Sequence, residues 1–197
     1  MLRVQMVISG VGGQGVLLVT RIFSQVALQE GCPIIGSEDH GMSQRGGSVM
    51  THIKIGGFES PLVRKGAADL LFSLERNEAY KALHFLRPAV GGLNGGIGFI
   101  NAPDADYMDH RIRGYLEGRG IEVHIFGADQ VAKEMGAVQS ANIALIGFAC
   151  AHPRFPFSSE RVRIAIEQVT AERFRQVSLK IFDQSHSEGR RTFKAKS

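Results

Sequence analysis

The sequence predicts an α/β fold, three layers built on a mostly parallel sheet with an inserted antiparallel hairpin. Three observations carry that expectation. The apolar run Met6-Val7-Ile8 breaks into Gly10-Val11-Gly12-Gly13-Gln14-Gly15 and opens directly into Val16-Leu17-Leu18-Val19. Short, near-continuous apolar runs then recur between segments of helical length, as in a parallel sheet covered on both faces. Glycine pairs beginning at 12, 46, 56, 91 and 95 punctuate the chain as tight turns between short elements.

Taken in order, Val4 to Ser9 reads as a first strand, and Val16 to Glu30 as a helix stopped by Gly31. Pro33 to Ser37 is a short second strand, which gives one βαβ unit with a right-handed crossover. Glu38 to Ser48 shows no periodicity. Val49 to Ile55 has strand chemistry, and Gly56-Gly57 signals a two-residue hairpin into Phe58 to Val63, the inserted antiparallel pair. Asp69 to Leu74 is another buried strand, and Asn77 to Leu86 is helical. Gly98 to Asn101 and Glu122 to Phe126 are further strands, joined through Tyr107 to Arg119. Asp129 is placed to cap a short helix ending at Met135. Asn142 to Ala151 is an apolar helix fenced by Pro153 and Pro156; Ser158 starts a helix through Val169, and a last one runs from Ala171 to about Asp183. The expected organisation is one domain over 1–185 and a basic, flexible tail over 186–197 containing Arg190, Arg191, Lys194 and Lys196.

Composition narrows the function classes. With 44% apolar and 21% charged residues in a chain of 197, the protein reads as an ordinary globular domain. Its net charge is a modest +4, and Arg111, Arg113 and Arg119 lie among acidic neighbours without interleaved aromatics, so no nucleic-acid partner is expected. The first residues lack a signal-peptide pattern and no apolar run reaches membrane-spanning length, which points to a cytoplasmic protein with no membrane role. Cys32 and Cys150 are too few for a four-thiolate cluster and read as reduced, packed residues. The seven histidines form no metal-ligand pair, so no metal site is expected. Asp104, Asp106 and Asp109 are more simply a solvated helix start than a calcium loop. Phe148, Phe155 and Phe157 are either core or a contact surface.

Two segments carry groups able to bind a ligand. Gly12, Gly13, Gln14 and Gly15 form a strand-to-helix turn, in which glycines leave backbone amides open to a phosphate and the helix N-terminus favours negative charge. The second is the run Gln44, Arg45, Gly46, Gly47 and Ser48, which should leave the carboxyl end of the second strand beside that turn. Arg45 offers a rigid fork of donors for phosphate or carboxylate. No residue is assigned a catalytic role. The residues leave three readings open. Gly10-x-Gly12-x-x-Gly15 with Glu38 fits a stand-alone NAD- or FAD-binding oxidoreductase; the same turn fits a phosphate-binding module without chemistry; and the glycines can serve packing alone, with Arg45 paired to Glu38 or Asp39. Gln14 and the hairpin that replaces a second crossover helix speak against the dinucleotide reading.

The glycine turn, followed by Ser37-Glu38-Asp39-His40-Gly41-Met42-Ser43-Gln44-Arg45-Gly46-Gly47-Ser48-Val49, resembles the gamma-type subunits of the 2-oxoacid:ferredoxin oxidoreductases, and among these the small (beta) subunit of the indolepyruvate enzymes. Ser60-Pro61-Leu62 and Ala67-Ala68-Asp69-Leu70-Leu71 follow the same family run, and the likeness covers about residues 4 to 180. It implies a Rossmann-like, non-catalytic subunit of a thiamine-dependent indolepyruvate- or aryl pyruvate-type enzyme that oxidatively decarboxylates a 2-oxoacid to an acyl-CoA. Thiamine diphosphate, Mg and the iron–sulfur clusters would sit in a large partner subunit, with coenzyme A as co-substrate and ferredoxin as acceptor. No cofactor would be held by this chain, and its two loops would face the partner's active-site region or the path of coenzyme A.

Overall fold

The computed structural model describes residues 2–40 and 46–195. Strand β1 (Val4–Val11) leads through the glycine turn into α1 (Val16–Gln29), whose buried positions Val16, Val19, Ile22, Phe23, Val26 and Ala27 fall on one helical stripe. The helix stops where expected: Gly31 takes φ 63°, and the Cys32 amide bonds back to the Ala27 carbonyl at 2.9 Å. Then follow β2 (Ile34–His40), β3 (Ser48–Ile55), β4 (Leu70–Ser73), α2 (Arg76–Ala82), β5 (Ile97–Asn101), α3 (His110–Glu117) and β6 (Glu122–Phe126). The chain closes with α4 (Ala128–Glu134), α5 (Ala141–Cys150), α6 (Ser159–Val169) and α7 (Glu172–Lys194).

The sheet has six strands in the order β2-β3-β1-β4-β5-β6. Strands β1, β4, β5 and β6 pair in parallel, whereas β3 runs antiparallel to both β1 and β2. One apolar cluster fills the face under α1 and α4 to α7, around Met6, Ile8, Phe72 and Phe99. A smaller one fills the other face under α2 and α3, around Val7, Leu71 and Ile100. This is the predicted three-layer, mostly parallel α/β architecture.

The hairpin is present but built from different strands. Segment 58–63 forms no strand; β3 pairs instead with β2, from Ile34 opposite Ile55 to His40 opposite Val49. The Gly56-Gly57 pair serves another purpose. The Gly56 amide bonds to the Pro33 carbonyl at 2.8 Å, and a Cβ at Gly56 would lie 2.0 Å from the Leu2 carbonyl oxygen, so only glycine lets the chain pass there. Because β3 lies between β1 and β2, the predicted βαβ unit does not close on neighbouring strands.

Two further expectations differ. Gly127, not Asp129, occupies the N-cap of α4. The C-terminal residues continue α7 to Lys194 instead of leaving as a separate tail at 186. The stripe Ser178, Ile181, Phe182, Ser185, Gly189 and Phe193 is buried against α5, and Gly189 sits so close that a Cβ would lie 2.7 Å from the Phe148 carbonyl oxygen. Helix α5 is buried from Asn142 through Cys150, and Phe148 and Phe157 are buried with it, which makes these apolar residues core. Asp104 and Asp109 accept from the amides of Asp106 and Arg111, the helix-start role expected of them. Among the described residues no helix is long and apolar enough to cross a membrane.

Candidate functional site

The chain leaves β1 toward β2 and β3 on one side, and leaves β4 toward β5 and β6 on the other. The carboxyl ends of β1 and β4 therefore flank a topological switch point, where open α/β sheets form their ligand crevice. Two adjoining hollows of about 280 and 510 Å3 occupy that place and share Gln14, Leu74, Asn101 and Asp129.

The glycine turn forms one wall. Gly13 and Gly15 take φ 102° and 82°, and the Gln14 amide closes the turn on the Val11 carbonyl at 3.1 Å. The Gln14 side chain folds back so that Oε1 accepts from the Val11 amide at 2.8 Å, leaving Nε2 as the donor it can offer the cleft. This internal bond explains an amide that a plain phosphate turn does not require. Among the described residues the backbone amides of Gly13, Gly15, Val16 and Leu17 meet no acceptor, so the start of α1 presents unused donors. Asn142, at the head of α5, clamps the turn by donating from Nδ2 to the carbonyls of Gln14 and Gly15 at 3.2 and 3.4 Å.

The second predicted wall is partly in view. Gln44 and Arg45 lie outside the described residues. Gly46 takes φ 78°, and the Gly47 carbonyl accepts from the Gly12 amide at 2.9 Å, so the two glycine segments touch directly. Ser48 is tied elsewhere: Oγ donates to Glu78 Oε2 at 2.6 Å and accepts from Lys81 Nζ at 2.7 Å, while Lys81 also bonds Glu78 Oε1 at 2.6 Å. That triad anchors the entry to β3 onto α2. Glu38 is exposed on β2, and the intervening β3 sets it two strand spacings, about 9.5 Å, from β1. A ribose bound at the β1 turn needs its carboxylate on the adjoining strand, so the arrangement disfavours the dinucleotide reading.

Asn101, Asn142, Glu78 and Lys81 escaped the sequence reading. Asn101 Nδ2 donates to the Leu74 carbonyl at 3.1 Å and Oδ1 accepts from the Asp129 amide at 3.3 Å, joining the ends of β4 and β5 to α4. Glu75 Oε2 caps α2 by accepting from the amides of Asn77 and Glu78 at 2.6 and 2.9 Å. A polar residue opening the otherwise apolar Asn142 to Cys150 helix, or closing the apolar Ile97 to Asn101 strand, was the available signal.

Glu122, His124 and His152 place their ligand atoms within 4.8 Å of one another, the geometry of a metal trio. The bonding favours an ion-pair network instead. His152 Nδ1 accepts from the Arg154 amide at 3.2 Å, so Nε2 carries the proton shared with Glu122 Oε2 at 3.2 Å, and Arg154 holds Oε1. A metal would need that Nε2 lone pair.

The profile of the pyruvate ferredoxin/flavodoxin oxidoreductase family matches residues 5–188. The chain belongs to that family. An indolepyruvate oxidoreductase subunit IorB from Methanothermobacter thermautotrophicus is 32% identical, over 89% of this chain and 92% of its own length. Its counterpart from Archaeoglobus fulgidus is 29% identical, over 95% and 96%. Among solved structures, the gamma subunit of a keto/oxoacid ferredoxin oxidoreductase from Geobacter sulfurreducens shares the fold with a TM-score of 0.71 at 20% identity, covering 94% of this chain and 98% of that one. A 2-oxoglutarate:ferredoxin oxidoreductase from Magnetococcus marinus, solved with 2-oxoglutarate, coenzyme A and succinyl-CoA bound, matches with a TM-score of 0.70 at 15% identity. The match covers 99% of this chain but 32% of that longer one. Family membership thus fixes the chain as an oxidoreductase subunit type whose fold also occurs as one part of a larger polypeptide.

Proposed function

We propose that this chain is the small, non-catalytic subunit of a cytoplasmic, thiamine-dependent 2-oxoacid:ferredoxin oxidoreductase that converts indolepyruvate or a related aryl pyruvate to its acyl-CoA. The observation that carries this reading is the match to indolepyruvate oxidoreductase subunits along 92% and 96% of their own length, which supports reading the chain as the counterpart of such a subunit. Thiamine diphosphate with Mg, and iron–sulfur clusters, would reside in a large partner subunit and supply decarboxylation and electron transfer to ferredoxin.

The residues of this chain have binding roles. Gly12, Gly13, Gln14 and Gly15 offer backbone and side-chain donors at a helix N-terminus, suited to an anionic group of coenzyme A or of the partner. Gln44, Arg45, Gly46, Gly47 and Ser48 form the facing segment, with Arg45 meeting the charge. Asn142 anchors the first segment, the Ser48–Glu78–Lys81 triad anchors the second, and the Gly12 amide bond to the Gly47 carbonyl joins them. Burial of the anion between them raises the worth of each hydrogen bond over its value in water.

The test is gentle anaerobic purification of the tagged chain from its host. A brown complex with a large chain, reducing an acceptor when given indolepyruvate and coenzyme A, is the expected result. Arg45→Ala should lower its turnover roughly tenfold or more, the loss of one charge-assisted bond, with the subunit's melting midpoint unchanged. A colourless chain recovered alone, or one that binds NAD with a dependence on Glu38, overturns the proposal.

A further inference from the structure

At the opposite, amino-terminal edge of β1, about 25 Å from the glycine turn at some 3.3 Å per residue, the sheet carries a second concavity. It measures about 530 Å3 and is lined by Arg3, Gln5, Lys54, Phe58, Glu59 and Arg64, among others. Lys54 is the decisive residue. It sits near the end of β3, opposite Gln5, with 7% of its surface exposed. Among the described residues neither its ammonium nor the guanidinium of Arg3 or Arg64 has a hydrogen-bonding or ion-pair partner. The carboxylates nearby do not fill that role. Glu59 is exposed on the rim and unpaired among the described residues, and Asp69 is held by Arg87 at 2.7 Å.

The arrangement is built and not incidental. Arg3 stacks over the Phe58 ring with Cζ at 4.3 Å from its centroid, and Lys54 Nζ lies 5.2 Å from the same centroid. Segment 57–64 is fixed over the sheet by buried Val63, whose amide donates to His52 Nδ1 at 3.3 Å. The guanidiniums of Arg3 and Arg64 beside the ammonium of the little-exposed Lys54 make three like charges that repel one another and lose hydration, and a multiply charged anion relieves both penalties. The Lys54 ammonium is held below its ordinary pKa, first by burial and then by Arg64 and Arg3.

We propose that this hollow is a second binding site, in which Lys54, Arg3 and Arg64 receive the diphosphate of a small phosphorylated ligand. Three cations exceed what one carboxylate neutralises, and the volume suits a nucleotide-sized molecule. The site is separate from the cleft and does not depend on which oxidoreductase the chain serves.

Calorimetric titration of the full-length chain with inorganic pyrophosphate, and in parallel with ADP, tests it. Saturable binding should weaken roughly tenfold or more in Lys54→Met and in the surface variant Arg64→Gln, and persist in Arg45→Ala. Tighter binding of ADP assigns the source to a nucleotide, and equal affinity assigns it to the phosphates alone. The proposal is overturned by an absence of saturable binding, by binding that Arg45→Ala removes, or by Lys54→Met and Arg64→Gln proteins that bind as the parent does. It is equally overturned if Lys54→Met leaves pyrophosphate binding intact and weakens only association with a protein partner.

Discussion

Gly15 shows how much one residue decides at the glycine turn. Its φ of 82° lies in the left-handed region, and a Cβ there would stand 2.2 Å from Asn142 Nδ2. Two penalties therefore meet in Gly15→Ala: the backbone strain of an L-residue, about 1–2 kcal/mol, and displacement of the Asn142 clamp. We expect the variant to lose about 2 kcal/mol or more in denaturant unfolding, and to lose partner binding with it. Adding Asn142→Ala should not restore stability, because the strain remains and the carbonyls of Gln14 and Gly15 lose their donor. A double variant as stable as the parent would show that side-chain crowding alone fixes glycine here. The need for glycine in this turn was legible from its strand–turn–helix context. The Asn142 clamp was not, since its partners lie 128 and 127 residues away in the chain.

Among the elements, those read correctly carry their pattern locally. Strand β4 is a continuous buried run, apolar up to its last residue, Ser73, and α6 is announced by Ser158, whose Oγ accepts from the Arg161 amide at 3.3 Å. The partner of β3 was misread because a glycine pair marks a bend without stating which strand returns beside it. The length of α7 was misread because Ser185 and Gly189 dilute its apolar stripe among charges, and only Phe193, packed against His124, Phe148 and His152, reveals the inner face. That same region joins β6 to the loop after α5 through Glu122, His152 and Arg154, with a definite pH signature. Burial pushes the Glu122 carboxyl up, but Arg154, His152 and His124 together hold it below 4.5. His152 is held below 6.5, first by burial and then by Arg154, against the pull of Glu122. In both groups the unfolded chain binds more protons than the native one, so stability rises with pH through this range and falls on acidification from about 6.5 downward. The melting midpoint should fall between pH 7 and 4, and the slope should flatten in His152→Gln. Equal slopes in parent and variant would remove His152 from the acid response.

For the whole molecule, the surface around the cleft bears on the proposed binding role. The sheet gathers the glycine turn and its polar neighbours at one edge, and the apolar surface beside them is not fully covered. Leu17, on the first turn of α1, is 41% exposed, and Val138, which lines the larger hollow with Gly13, is 63% exposed. Large apolar side chains at the rim of a polar cleft suit a protein contact, the pattern of a buried anchor beside hydrogen-bonding groups. If the cleft faces a large catalytic subunit, Leu17→Asp and Val138→Asp should weaken the complex by tenfold or more, as expected when a charge must be desolvated at an interface. Because neither side chain contributes to the core, the melting midpoint of the isolated chain should move little. Co-purification at parental yield with both aspartates in place would turn the partner-facing side elsewhere. Loss of association together with unchanged pyrophosphate binding at Lys54 would separate the two edges of the sheet, one turned to the partner and the other to a small anion.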